Sequence, residues 1–290
     1  MESAASKNST IVRDKKKSVP PWFRTGFRLM GAVVPDVAAS VGWRIFFTPR
    51  HSRLREQEQA VLARGERFSF DVDGEKVVAR IWGRGPTVLL AHGWGGHSGQ
   101  MTPLVDPLVA AGYRVVAIDF PGHGESGRGL SSVVHFSRTV ERAPIFFGPI
   151  HSVIAHSMGA SATMLAMTRG FQVSRVAFFA PHTSFDTTWA QIRAEVGVSD
   201  VVWQKLGEKV VRWVHVSFDD VRLLEHLEMS TPLLVLHDAA DREVPFEEGQ
   251  GMARRWPNAS LFRTEELGHT RILKDPGAVA AAVKFVSEGA

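Results

Sequence analysis

The feature that most constrains this chain is an apolar run that stops at a serine between small residues. Residues 153 to 155 predict a short buried strand, and residues 158 to 169 carry apolar side chains at helical spacing. The chain must therefore turn from strand to helix within about two residues at Ser157. Such a turn needs small neighbours, which Ala155 and Gly159 supply, and it leaves the serine hydroxyl above a helix N-terminus.

The segments on either side of this turn alternate between strand and helix patterns. Asp73-Gly74 is a strong signal for a two-residue hairpin, so the sheet should begin antiparallel. The other predicted strands cover residues 87 to 91, 113 to 119, 175 to 180, 232 to 237 and 260 to 264. Helices are predicted at about residues 53 to 65, 101 to 111, within 132 to 143, 246 to 255 and 276 to 288. This alternation predicts an α/β protein with a mostly parallel, doubly wound sheet.

Composition limits the chemistry that this chain can perform. With 290 residues, 44% of them hydrophobic and 22% charged, it can form one large α/β domain with an insertion, or two small domains. It contains no cysteine, which excludes disulfides, thiolate metal sites and cysteine nucleophiles. The composition permits a reducing compartment, and we expect a cytoplasmic protein.

The basic residues are concentrated at the N-terminus. The first sixty residues contain 11 Lys or Arg against 5 Asp or Glu, and the remainder contains 23 against 25. A basic excess confined to one end argues against a nucleic-acid-binding face on the main domain. It leaves peripheral membrane association through the N-terminus open.

Two segments are expected before the main domain. Residues 1 to 20 have too little apolar surface to fold alone and predict a disordered basic arm. Residues 21 to 66 predict an N-terminal helical segment, interrupted at Pro35-Asp36 and too short in its apolar runs to span a bilayer. They could form two short helices that pack on the domain. Alternatively, they form an interfacial anchor together with cations of the preceding arm. The cations that would then face anionic lipid are Arg13, Lys15, Lys16, Lys17, Arg24 and Arg28.

Residues 155 to 159 resemble the G-x-S-x-G nucleophile elbow of the α/β-hydrolase superfamily, with alanine in place of the first glycine. Residues 92 to 96, His-Gly-Trp-Gly-Gly, resemble the HG loop of that superfamily, and residues 119 to 126 resemble its architectural D-x-P-G-H-G-x-S loop. The resemblance implies an α/β-hydrolase domain over residues 67 to 290 with a small helical cap at about residues 182 to 230. Structural roles are expected for His92 and His123.

A serine nucleophile needs an imidazole to accept its proton and a carboxylate to orient that imidazole. In this superfamily the acid follows the serine and the histidine comes last. Residues 237 to 245 are similar to the H-G-x-x-D-x-x-V-P motif, which implies that Asp241 is the acid. Asp238 is the main rival, and Glu243 is a weaker one. The Gly-His turn that ends at His269 resembles the one that carries the base.

The resemblance also implies an oxyanion hole formed by the amides of Trp94 and Met158, although a glycine turn after a strand could be purely structural. A serine at the elbow argues against the haloalkane dehalogenase and epoxide hydrolase branches, which need a carboxylate there. The function predicted is a serine hydrolase of carboxylic esters or thioesters, with amides left open, that forms an acyl-enzyme intermediate. No cofactor or metal is implied.

The predicted cap is rich in apolar and aromatic side chains, which favours a small-molecule acyl substrate with apolar character. These side chains are Phe185, Trp189, Ile192, Val196, Val201, Trp203, Leu206, Val210, Trp213 and Val216. Helical spacing among them is equally typical of a helix that packs on the domain. The alternative function is a non-catalytic α/β-hydrolase-like protein that binds a ligand or docks on a membrane.

Overall fold

The computed structural model describes residues 19–222 and 229–288. Most of the predicted basic arm, including Arg13 and Lys15 to Lys17, lies outside these residues. In the described part of the chain, no helix is both long and apolar enough to cross a bilayer.

Eight strands form a single sheet at the centre of the fold. They are β1 (Glu66–Val72), β2 (Glu75–Trp82), β3 (Thr87–Ala91), β4 (Arg114–Asp119), β5 (Ile150–His156), β6 (Arg175–Phe179), β7 (Leu233–Asp238) and β8 (Ala259–Thr264). Their order is β1-β2-β4-β3-β5-β6-β7-β8. Only the β1/β2 and β2/β4 pairs are antiparallel. The predicted α/β class and mostly parallel sheet are therefore confirmed.

The predicted hairpin is confirmed at its turn. Asp73 and Gly74 both have positive φ, 54° and 84°, and they connect the paired residues Val72 and Glu75. The Gly74 amide donates to the Asp71 carboxylate over 2.9 Å. A two-residue loop of this conformation matches the right-handed twist of the strands that it joins.

Twelve helices are described. They are α1 (Pro21–Val33), α2 (Pro35–Phe47), α3 (Glu56–Arg64), α4 (Val105–Ala110), α5 (Val133–Phe147), α6 (Met158–Thr168), α7 (Phe185–Val196), α8 (Asp200–Val214), α9 (Phe218–Arg222), α10 (Phe246–Arg255), α11 (Gly268–Arg271) and α12 (Pro276–Ser287). They cover both faces of the sheet, as β3 illustrates. All five of its residues are buried, with Leu89 and Ala91 in the core beneath α5 and α6, and Val88 and Leu90 in the core beneath α4 and α12. Burial on both faces explains its uninterrupted apolar sequence.

The N-terminal helices pack on the cap rather than on the sheet. Phe27 of α1 and Ala38 of α2 share a buried cluster with Val202 and Leu206 of α8. A side chain at Gly31 would approach Val202 to 3.0 Å, so glycine permits this close contact. Segment 48–55 then passes the loop after β3, where the Ser52 amide donates to the Gly95 carbonyl over 3.0 Å.

Two local predictions differ from the structure. The helix predicted from about residue 101 is divided into a 3-10 turn, Ser98–Leu104, and α4, because Pro107 lacks the amide that would continue one α-helix. The charged helix predicted over residues 53 to 65 is not wholly a surface helix. Glu58 in α3 is buried, and its carboxylate accepts hydrogen bonds from the Arg55 amide and the Lys274 ammonium. These partners compensate the desolvated charge.

Candidate active site

Ser157 occupies a strained turn between β5 and α6. Its φ of 52° and ψ of −121° lie outside the regions that a serine normally adopts. A side chain at Gly159 would come within 2.5 Å of the Ala91 carbonyl oxygen, and one at Gly93 would come within 2.9 Å of the Ser157 Cβ. Both glycines are thus required by the close approach of α6 and the loop after β3. Ala155, in place of the first glycine of the motif, is accommodated in the core.

Asp241 and His269 meet at the same edge of the sheet. His269 Nδ1 donates to Asp241 Oδ2 over 2.8 Å, and both side chains are buried. This bond leaves the opposite nitrogen of His269, Nε2, available as a proton acceptor. Burial alone would raise the pKa of Asp241. Hydrogen bonds from His237, His269 and the Glu243 amide outweigh burial and hold this pKa well below its ordinary value.

His269 lies beside the turn that carries Ser157. The residue before the serine, His156, donates from Nε2 to the backbone carbonyl of His269 over 3.0 Å, and the two rings lie 4.6 Å apart. Burial lowers the pKa of His156 to about 3, so this imidazole is neutral at pH 7. The structure therefore pairs the predicted acid, Asp241, with the predicted base, His269, next to the turn that carries the predicted nucleophile, Ser157. The elbow motif leaves the identity of residue 156 open, so this contact could not be predicted from the motif.

The rival acids have other partners. Asp238 accepts hydrogen bonds from the Ala240 amide, the Thr264 hydroxyl and the Leu267 amide, at 2.9, 2.7 and 3.0 Å. Its carboxylate thus ties together the loops that follow β7 and β8. The side chain of Glu243 is exposed, and only its amide contacts Asp241.

His237 is a second neighbour of Asp241. No role for it was predicted from the sequence. Its Nε2 lies 3.3 Å from Asp241 Oδ2 and 3.2 Å from the Val244 carbonyl oxygen, and its side chain is fully buried. A single N–H shared between two acceptors fits these distances. The one feature of the sequence that could have indicated this contact is the position of His237, four residues before the predicted acid.

The predicted oxyanion donors are on adjacent loops. The Met158 amide begins α6, and the Trp94 amide follows β3. No hydrogen bond to another described residue occupies either amide. Both are therefore free to bind an oxygen that carries negative charge.

The two histidines expected to be structural hold the loop of Trp94. His92 donates from Nδ1 to the Gly93 carbonyl and accepts the Phe120 amide at Nε2, over 2.7 and 3.2 Å. His123 accepts the Gly95 amide at Nε2 over 3.0 Å and donates from Nδ1 to the Pro121 carbonyl. Burial lowers the pKa of each imidazole to about 3. The prediction that they are structural is confirmed.

An apolar cavity of about 160 Å³ opens beside Trp94 and Met158. Its walls include five of the ten cap residues expected to shape a pocket, namely Phe185, Trp189 and Ile192 of α7, Val210 of α8, and Val216. Other members of that set lie elsewhere, since Val196 and Leu206 pack against α1 and α2 and Val201 is exposed. The cavity is also lined by Phe46 and Phe47 of α2, for which the sequence provided no indication.

A second cavity is larger and more polar, but it contains none of the predicted site residues. It measures about 530 Å³ and lies between residues 52–58 and 270–274. In the described part of the chain, no group of three or more histidine or acidic side chains could hold a metal ion.

The family model described as serine aminopeptidase, S33, matches residues 85–226. The sheet order and the strained serine turn agree with this match, and solved structures of the same architecture superimpose on the chain. The chain has the α/β-hydrolase fold.

Curated relatives match this α/β hydrolase over limited segments. A dihydrolipoyllysine-residue acetyltransferase component of an acetoin cleaving system from Cupriavidus necator is 39% identical over 119 residues, 38% of this chain and 31% of that protein. A pimeloyl-(acyl-carrier protein) methyl ester esterase from Methylococcus capsulatus is 52% identical over 44 residues, 15% of this chain and 17% of the relative. The aligned segments thus span about a third or less of these relatives' lengths.

A solved structure of a bacterial membrane phospholipase A is similar in fold to this α/β hydrolase. It superimposes with a TM-score of 0.59 at 20% identity and covers 92% of this chain and 99% of the other. At this identity the likeness shows a shared fold.

Proposed function

We propose that this α/β hydrolase is a serine hydrolase of carboxylic esters or thioesters. One observation carries the proposal: a buried carboxylate, Asp241, orients His269 beside the strained turn of Ser157. A serine hydroxyl is a weak nucleophile at neutral pH, and an oriented imidazole provides the base that it needs. The curated relative from Methylococcus capsulatus, whose name describes a methyl ester esterase, supports the same reaction class.

The proposed reaction begins with attack of the Ser157 hydroxyl oxygen on the acyl carbon. His269 Nε2 takes the hydroxyl proton, while Asp241 stabilises the resulting imidazolium. The amides of Trp94 and Met158 donate to the oxygen of the tetrahedral intermediate. Collapse of the intermediate breaks the ester or thioester bond, and His269 returns its proton to the departing alcohol or thiol. Water then attacks the acyl-enzyme with His269 as base, releasing the acid and free Ser157.

The apolar cavity supports an acyl group of apolar character as the substrate portion. Val133, Phe185 and Trp189 contribute apolar walls, and Trp94 and Met158, the residues of the two proposed oxyanion donors, also line the cavity. An acyl chain that enters it loses contact with water without leaving a polar group unpaired. We propose the cytoplasm as the location, since the chain lacks cysteine.

A fluorophosphonate probe tests the mechanism because it reacts with an activated serine. We expect it to label the wild-type protein at Ser157, and Ser157→Ala to lose labelling and p-nitrophenyl ester hydrolysis. Ser69→Ala, which alters an exposed serine of β1, is the control and should retain both. Full turnover by Ser157→Ala would contradict the mechanism. Absence of labelling in the folded wild type would instead favour a binding or membrane-docking protein without catalysis.

A further inference from the structure

Exposed apolar side chains are concentrated on the N-terminal helices. Of the ten large hydrophobic residues that are exposed in the described part of the chain, six lie between residues 22 and 45. Five of them lie along α1 and the start of α2 and are called here the hairpin patch: Trp22, Leu29, Val33, Val34 and Val37. Trp22 is 75% exposed, Leu29 63% and Val33 78%. Isolated exposed hydrophobic residues are common, but such a group indicates an interaction surface.

The fold does not use this face of α1 for packing. Trp22, Leu29 and Val33 are spaced by seven and four residues, which places them along one side of the helix. The opposite side packs against the cap through Phe27 and Gly31. Helix α1 is therefore held in place by one face while it presents a second apolar face to solvent.

The charges around the hairpin patch are mostly positive. Helix α1 contains Arg24 and Arg28 and no acidic residue, and both arginines lie on its cap side, where Arg24 donates to the Ala194 carbonyl over 3.4 Å and the stem of Arg28 lies close to Gly197. The acidic residue of α2, Asp36, is paired with Lys205 over 2.7 Å. Arg13 and Lys15 to Lys17 precede α1 in the sequence. Apolar side chains with a tryptophan, flanked by cations, match the surface of a bilayer that contains anionic lipid.

We propose that the hairpin patch docks this protein on the surface of an anionic lipid bilayer. Trp22, Leu29 and Val33 would enter the boundary between headgroups and acyl chains, and the unbalanced positive charge of α1 would attract the lipid phosphates across the width of the helix. Partial insertion of exposed helices requires no span, in agreement with the absence of a membrane-crossing helix among the described residues.

Docking also gives the acyl pocket a source of substrate, a step that rests on the proposed function. Helix α2 begins beside the hairpin patch and ends at Phe46 and Phe47, which line the apolar cavity. From Val37 to Phe46 the helix axis advances about 14 Å. An enzyme docked through the start of α2 would thus hold its pocket close to esters of the membrane, so the substrate class inferred is lipid esters.

Vesicle co-sedimentation of the full-length protein tests the docking surface. Phosphatidylcholine vesicles with and without phosphatidylglycerol are compared, and we expect binding to the anionic vesicles that weakens as salt is raised. The variant Trp22→Glu/Leu29→Glu/Val33→Glu should reduce the affinity by at least about tenfold. Ile145→Glu, at a 70% exposed residue on α5, is the matched control and should bind as the wild type does.

Three readouts keep the outcomes separate. The melting temperature and the turnover of a short soluble ester should be the same in the patch variant and the wild type, which shows that the fold is retained. Ser157→Ala should still bind vesicles, so a failure of catalysis leaves the docking result interpretable. Wild type that remains in the supernatant, or a patch variant that sediments equally, would overturn the proposal. A wild-type dimer that the patch variant converts to a monomer without vesicles would also overturn it and assign the patch to a second copy.

Discussion

At the scale of single residues, the environment of Asp241 decides how the site is oriented. One carboxylate oxygen, Oδ2, accepts a hydrogen bond from His269 Nδ1 and also lies 3.3 Å from His237 Nε2. The other oxygen, Oδ1, accepts the amides of Glu243 and Val244 over 2.8 and 3.0 Å. Each donor stabilises the ionised carboxylate. Because the donors are held in place by the fold, the carboxylate can adopt a single orientation. His237 is therefore a positioning residue, because it acts on His269 only through Asp241.

Replacing each aspartate by asparagine separates catalysis from stability. Asp241→Asn should lower kcat on the order of 10⁴-fold, because an amide no longer selects the His269 tautomer that accepts the serine proton. Asp238→Asn should instead lower the free energy of unfolding by about 1–3 kcal/mol, because its amide nitrogen faces backbone and hydroxyl donors.

The measurements are kcat for a p-nitrophenyl ester and urea unfolding of both variants. If Asp238→Asn abolished turnover while it stayed folded, and Asp241→Asn remained active, the role of the acid would move to Asp238. Asp238→Glu is a poor control because it lengthens a fully buried side chain.

At the scale of secondary-structure elements, two groups of helices form the apolar cavity. Helices α7 and α8 belong to the predicted cap, whereas α2 comes from the segment before the hydrolase domain. Trp189 of α7 lies between Phe46 and Phe47 of α2, with ring centroids 6.3 and 5.5 Å apart. The shape of the pocket thus depends on contacts between residues more than 140 positions apart in the sequence.

Adjacent valines on α8 allow a matched test of the pocket. Val210 is buried and lines the cavity, whereas the neighbouring Val211 is exposed. Val210→Trp should fill part of the cavity, so kcat/KM for long acyl chains should fall by about tenfold or more relative to that for acetate. Val211→Trp should leave this ratio unchanged. A series of p-nitrophenyl esters gives the measurement, and equal ratios in both variants would show that acyl chains bind elsewhere.

The elements differ in how far sequence could predict them. The strands were predictable because β3, β5 and β7 are buried on both faces and therefore contain continuous apolar runs, at residues 88–91, 153–155 and 233–236. Asp241 and His269 could be predicted because each follows a strand whose end meets the same edge of the sheet. Phe46 and Phe47 could not, because their periodicity indicates burial without identifying the surface that buries them. Glu58 was misjudged because its charge predicts exposure unless its partner Lys274 is known.

At the scale of the whole molecule, buried neutral histidines make the stability of the fold depend on pH. His92 and His123 hold the loop of Trp94, and His156 holds the carbonyl of His269. Burial lowers the pKa of each to about 3. The interactions that shape the site therefore require imidazoles without charge, and the same three residues should make the fold sensitive to acid.

The direction of this effect follows from proton binding. Between the unfolded histidine pKa of about 6.5 and the folded value of about 3, the unfolded chain binds more protons, so stability rises with pH. The stabilisation is complete above about pH 6.5 and is lost as the pH falls towards 3, at up to about 1.4 kcal/mol per pH unit for each histidine. Asp119 changes stability with pH in the opposite direction, because burial raises the pKa of its carboxyl.

Urea unfolding at several pH values between neutrality and about pH 5 measures the slope of stability with pH. His123→Gln is the informative variant, because a glutamine side-chain oxygen can reach the position of Nε2 and accept the Gly95 amide, while the amide side chain does not titrate. We expect this variant to show a shallower slope than the wild type, by about one proton. Phe68→Leu, a substitution in β1 distant from these histidines, should keep the wild-type slope. Identical slopes for the wild type and His123→Gln would contradict the assignment of this pH dependence to His123, and the link between the loop of Trp94 and acid stability would be lost.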